Sequence, residues 1–190
     1  DLVGVERAGV SCAAEKCASA LVAGDLVISE VMAKSDGCGD SSRSHDGEYI
    51  EVHNASSYSI DLQGIEIADA AGETYVAART VIPAGGYGLL TYTDNCWPAP
   101  EDDHYAYSAV RLNDGEDMIS LTYAGALLDS VAYTASWPFA SGHSMQFDIT
   151  TGGVSANDSP DHWCMAGDST EVAAYGGSPD SLDFGTPGAP

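Results

Sequence analysis

Short apolar stretches with partial alternation recur along most of the chain, separated by clusters of Gly, Asn, Asp and Pro. That texture predicts an all-β sandwich or barrel. Nine strands are expected, near 26–32 (LVISEVM), 48–54 (EYIEVHN), 60–68 (IDLQGIEIA), 73–77 (ETYVA) and 87–92 (YGLLTY), then 118–123 (MISLTY), 127–133 (LLDSVAY), 144–149 (SMQFDI) and 162–166 (HWCMA). In EYIEVHN, Ile50 and Val52 face one side, and Tyr49, Glu51 and His53 the other, because side chains alternate along a strand. Hairpins are expected at Asp69–Gly72 and at Gly125, and a tight turn at Pro83–Gly86, where glycine takes positive φ freely. Residues 1–24 differ: an Ala-rich lead with weak helical character stands before a sandwich over 25–190. Three polar connections, 33–47, 93–110 and 150–161, are where function is expected to reside.

Charge narrows the function classes. Against 29 acidic residues stand 6 basic ones, for a formal net charge of −23. Duplex DNA carries about one negative charge per 1.7 Å of axis, so nucleic acid should be repelled. Anionic membranes should be repelled for the same reason. No apolar run approaches the roughly 18 residues that a membrane span needs. Acidity of this degree suits solubility, cation binding or capture of a basic partner.

Five cysteines (Cys12, Cys17, Cys38, Cys96 and Cys164) contain no CxxC pair, which argues against structural zinc and thioredoxin-like chemistry. Several lie in loop-like stretches, as disulfides of exported proteins do. The chain starts at Asp1 without a charged, apolar signal segment, so a secreted or cell-surface protein whose signal is cleaved or lies outside this chain is expected.

The order of the segments resembles the lamin tail domain, a family found in nuclear lamins and in many bacterial extracellular proteins. The pieces that carry it are LVISEVM at 26–32, EYIEVHN at 48–54, IDLQGIEIAD at 60–69, IPAGGYGLL at 82–90, LNDGEDMISL at 112–121, GHSMQ at 142–146 and the GTPGAP of 185–190. Together they span about 165 residues, everything but the lead. The resemblance implies an immunoglobulin-like β-sandwich and a non-catalytic role in adhesion, anchoring or display. Two departures from the lamins stand out. There are no sustained heptads for a coiled-coil rod, and no basic surface for chromatin. The bacterial extracellular branch fits better, and the family supplies no catalytic residues.

Candidate chemistry is sparse. Ser144 follows His143 in GHSMQ, but a nucleophile elbow needs G-x-S-x-G between strand and helix. Neighbours on a strand also point to opposite faces, so His143 is badly placed as a base. The five histidines (His45, His53, His104, His143 and His162) are scattered singly, without metal-binding spacing. Glu48 and Glu51, three apart on one strand, lie on opposite faces and cannot form a glycosidase pair. Trp97, Trp137 and Trp163 lie beside loops. All three are expected to plug the ends of the core, and the best candidate among them for exposure and partner contact is Trp97, in strongly polar surroundings.

If the strands run up and down, the 33–47 and 93–110 connections fall at one end, which predicts a Cys38–Cys96 disulfide. Closing that loop would stabilise by about 4 kcal/mol on the chain-entropy model. Cys12 and Cys17 are the candidate second pair, although on a continuous helix they would stand about 140° apart. Cys164 is then left as a buried thiol. The same two connections hold Asp36, Asp40, Asp46, Asp94, Glu101, Asp102 and Asp103. Calcium takes six to eight oxygens at about 2.3–2.6 Å, which such loops can supply. The expected function is a surface module binding a protein or glycan partner, with no cofactor besides calcium. The alternative is a metal-dependent hydrolase built from loop carboxylates.

Overall fold

The computed structural model describes residues 15–17, 20–36, 45–93, 96, 104–107, 109–167, 171–172 and 183–187. Cys12, Cys38, Asp40, Asp94, Trp97, Glu101, Asp102 and Asp103 lie outside them. The strands in chain order are β1 (Glu15–Cys17), β2 (Leu26–Met32), β3 (Tyr49–Asn54), β4 (Ser59–Asp61), β5 (Glu66–Ala68), β6 (Thr74–Val76), β7 (Val81–Ile82) and β8 (Tyr87–Thr91). They continue with β9 (His104–Ala106), β10 (Asp117–Tyr123), β11 (Ala126–Tyr133), β12 (Met145–Phe147), β13 (Trp163–Met165), β14 (Glu171–Val172) and β15 (Asp183–Phe184). The described residues are all-β, with 3% helix and 41% strand, as the alternating texture requires.

A six-stranded sheet runs β13-β12-β2-β3-β8-β9, and a four-stranded one β11-β10-β5-β6. A three-stranded sheet, β1-β4-β7, and the pair β14-β15 complete the architecture. One apolar core takes Ile28, Ile50, Val52 and Leu90 from the first sheet and Ile67, Ile119, Leu121 and Val131 from the second. Both sheets therefore send apolar residues into one shared core, and the molecule is an immunoglobulin-like sandwich. Trp137 and Trp163 lie 5.7 Å apart, are 7% and 6% exposed, and cap this core as expected. The Trp163 indole N–H is satisfied by the Asn157 carbonyl at 2.9 Å.

Local turn chemistry sets the hairpins. Ala124 and Gly125 both have positive φ (48° and 80°), the two-residue turn that matches strand twist between β10 and β11. Gly86 N–H donates to Pro83 at 2.9 Å across a turn whose Gly85 has φ 69°. Asp69–Gly72 closes the β5–β6 hairpin.

The expected single strand over 60–68 is two strands in different sheets. Gly64, at φ 88°, and a turn closed by Ile65 N–H donating to Leu62 O at 2.9 Å swing the chain from one sheet to the other. Ile60, Leu62, Ile65 and Ile67 still reach the core on both sides of the break. Glu15–Cys17, inside the lead expected to be helical, pairs in parallel with β4, because a sheet edge there accepts the backbone. β2 carries an irregularity between Ile28 and Glu30. Across the sandwich, the Asp129 carboxylate accepts from the Ile28 N–H at 2.6 Å and from Asn157 at 2.8 Å, tying β11 to β2.

Candidate functional site

The outer face of the six-stranded sheet is as buried as its inner one along β2, all seven of whose residues are buried. The cover is the segment 183–187. Glu30, 1% exposed, is the hub beneath it. Its Oε1 accepts from Tyr49 Oη at 2.6 Å, Ser144 Oγ at 2.5 Å and the Thr186 N–H at 3.0 Å, and its Oε2 from Thr186 Oγ1 at 3.2 Å. This many donors to one carboxylate offset its removal from water. Burial, and then the Glu30 charge, raise the Tyr49 phenol well above its ordinary value, so it stays a donor. At the other end of the segment Asp183 accepts from Ser35 Oγ at 2.5 Å and from the Asp36 N–H at 2.7 Å. Between them the Phe184 ring stacks on His143 at 4.5 Å. Gly185 has no room for a side chain: a Cβ would overlap Tyr49 Oη and stand 2.7 Å from Glu30 Oε1.

Beside this cover lies a cavity of about 360 Å³ lined by Glu51, Tyr87, Asp148, Thr150 and Cys164 among others. Glu51 is the cross-strand partner of Glu30 and accepts from Ser29 Oγ at 2.8 Å. Glu48 is on the opposite side, as its spacing from Glu51 requires. It accepts from the Leu112 N–H at 2.9 Å, and burial pushes its pKa up to about 9. The carboxylate that does neighbour Glu51 is therefore Glu30, twenty-one residues away on another strand, which no local spacing points to.

Ser144 and His143 do not act together. Ser144 donates to Glu30, while His143 Nδ1 meets the Ala166 carbonyl at 2.9 Å. Of the expected calcium ligands, Asp36 and Asp46 are among the described residues. Asp36 Oδ1 accepts from Ser141 at 2.7 Å, and the Asp46 carbonyl accepts from Thr93 Oγ1 at 2.9 Å. Among the described residues no group of three or more His, Cys, Asp or Glu is arranged to hold a metal ion. Cys164, expected to be buried, is an exposed free thiol. It sits on the edge strand β13, where Trp163 takes the inward place and the next residue must point out.

The model of the Lamin Tail Domain family matches residues 19–135, more than half of the chain. The chain belongs to the lamin tail domain family. The match ends short of the 25–190 expected from the resemblance, so β12, β13 and the segment 183–187 lie beyond it. No curated protein matches the chain. The family is a non-enzymatic, immunoglobulin-like one, so this lamin tail domain is at the coarse level a non-catalytic module. Among the described residues no helix is long and apolar enough to cross a membrane.

Proposed function

We propose that this lamin tail domain is an extracellular or cell-surface module that holds a protein or glycan partner at one end of the sandwich. In this reading a Cys38–Cys96 disulfide ties the connections 33–47 and 93–110 together, calcium bridges their carboxylates, and Trp97 meets the partner. The observation that carries it is the register of the six-stranded sheet. Met32 stands opposite Tyr49, and Tyr49 opposite Thr91, so both connections leave from neighbouring points at one end. The strands do not run simply up and down: β2, β3 and β8 are adjacent in the sheet although four short strands separate β3 from β8 in the chain. Further support comes from Cys96, which is 1% exposed and disulfide-bonded, with its sulfur 3.1 Å from Thr93 Oγ1.

Calcium at a hundred times its dissociation constant would add about 2.7 kcal/mol to stability. Thermal melting across millimolar calcium, reversed by chelator, tests the reading. An Asp102→Asn, Asp103→Asn double variant should blunt the response. An unchanged melting temperature in the parent chain would refute the calcium part, and peptide mapping that pairs Cys38 with another cysteine would refute the disulfide.

A further inference from the structure

The segment 183–187 is bound to the sandwich as a ligand is bound to a receptor. None of its side chains belongs to the apolar core. Among the described residues it joins the large sheet through the bridge of Phe184 with His143, where the Phe184 N–H donates to Gly142 at 2.7 Å and its carbonyl accepts from Ser144 N–H at 3.1 Å. Its first two residues, as β15, also pair with the short β14, Phe184 opposite Glu171 and Asp183 opposite Val172, and the other contacts are to groups fixed on strands or beside them. Ser35 and the Asp36 N–H read a carboxylate, His143 reads an aromatic ring, and Tyr49, Ser144 and Glu30 leave room only for glycine. Glu30 then reads both the N–H and the hydroxyl of a threonine. Four consecutive residues are read in order, each by a different chemistry.

Part of the receptor side is held by contacts that do not involve the segment. Tyr49 and Ser144 bond Glu30 directly, and β2, β3 and β12 carry the three residues or border them. Without an occupant the slot opens Glu30 to water, and refilling it exchanges that water for the Thr186 donors. We propose that this slot is a recognition site for an extended Asp-aromatic-Gly-Thr segment, filled here by residues 183–187 and able to take the same segment from a second copy of the chain. Exchange of an identical element between copies is a low-cost route to assembly, since every contact is reused. The slot shares one residue with the calcium reading, Asp36, whose backbone N–H serves the slot and whose carboxylate the calcium reading uses, so the peptide assay is run in chelator and its outcome is independent of the calcium titration.

The test uses the full chain with its own segment weakened by Asp183→Ala and Phe184→Ala, and a fluorescein-labelled peptide of residues 182–187, Leu-Asp-Phe-Gly-Thr-Pro. Anisotropy should show saturable binding to the double variant. Binding to the parent chain should be at least about tenfold weaker, because the tethered segment competes at high effective concentration. A peptide with valine in place of Gly185 should lose at least about tenfold by the steric argument. Circular dichroism and a cooperative melt establish that the variant is folded, and Gly185→Val in the full chain serves as a second acceptor if it is not. The proposal is overturned by any of three results. These are no saturable binding to a folded acceptor up to about 1 mM peptide, equal binding of the valine peptide, or loss of the cooperative fold in both acceptors, which would make the segment an integral strand.

Discussion

Replacing Glu48 by glutamine should make the stability of this domain less dependent on pH. The Glu48 side chain is 1% exposed, and its Oε2 accepts from the Leu112 N–H at 2.9 Å. Its Oε1 has no hydrogen-bond partner among the described residues and lies 3.8 Å from His45 Nδ1. Burial raises its pKa from 4.5 to about 9, so the folded chain keeps a proton that the unfolded chain gives up. The sign follows: between those values the folded state binds more protons, and stability falls as pH rises. The slope from one such group is about 1.4 kcal/mol per pH unit. Asp129, raised by burial to about 6, contributes in the same direction at the lower end of pH 6.5–8.5, and His53, lowered by burial, in the opposite one, so the difference between parent and variant is what isolates Glu48. Over those two units Glu48 should remove about 2.7 kcal/mol, a large fraction of a domain's 5–15 kcal/mol. Glutamine keeps an oxygen for Leu112 and carries no charge at any pH. Urea denaturation followed by tryptophan fluorescence, with Trp137 and Trp163 buried as reporters, measures both chains across the window. Parallel pH profiles for parent and variant would show Glu48 ionised in the folded chain, and the reasoning would fail.

Other outcomes follow from single contacts. Asp129→Ala should cost about 2–4 kcal/mol, because the buried Ile28 N–H and the Asn157 amide lose their acceptor, and a denaturation midpoint shift of less than a few tenths of a kcal/mol would contradict it. Gly88→Val should also destabilise, since a Cβ there would overlap Ile82 Cδ1, by about 1–3 kcal/mol as overpacking does, measured in the same way. Cys164 should be alkylated rapidly by iodoacetamide in the native chain, and mass mapping that finds it protected would refute its edge-strand exposure. No DNA binding is expected at physiological salt, and salt-sensitive micromolar binding in an anisotropy assay would overturn the charge argument.

What the sequence alone determined is what depends on near neighbours. Alternation in EYIEVHN put Ile50 and Val52 in the core and Tyr49 and Glu51 on the other face, because the backbone geometry of a strand enforces a period of two. The turns at Gly72, Gly85 and Gly125 were legible because only a few residue types accept positive φ. The family could be read from segments in order, and the model match over 19–135 bears that out. The break at Gly64 was not legible, since both halves of IDLQGIEIA are apolar in alternation and a lone glycine does not say that the chain changes sheets. Nor was the polar hub. Glu30, Tyr49, Ser144 and Thr186 come together across separations of up to 156 residues, and each alone reads as a solvated surface residue. Periodicity tells which residues share a face. Which distant segment covers that face is decided by long-range pairing, and so only the tertiary structure shows that the polar side of β2 is buried and that the segment 183–187 buries it.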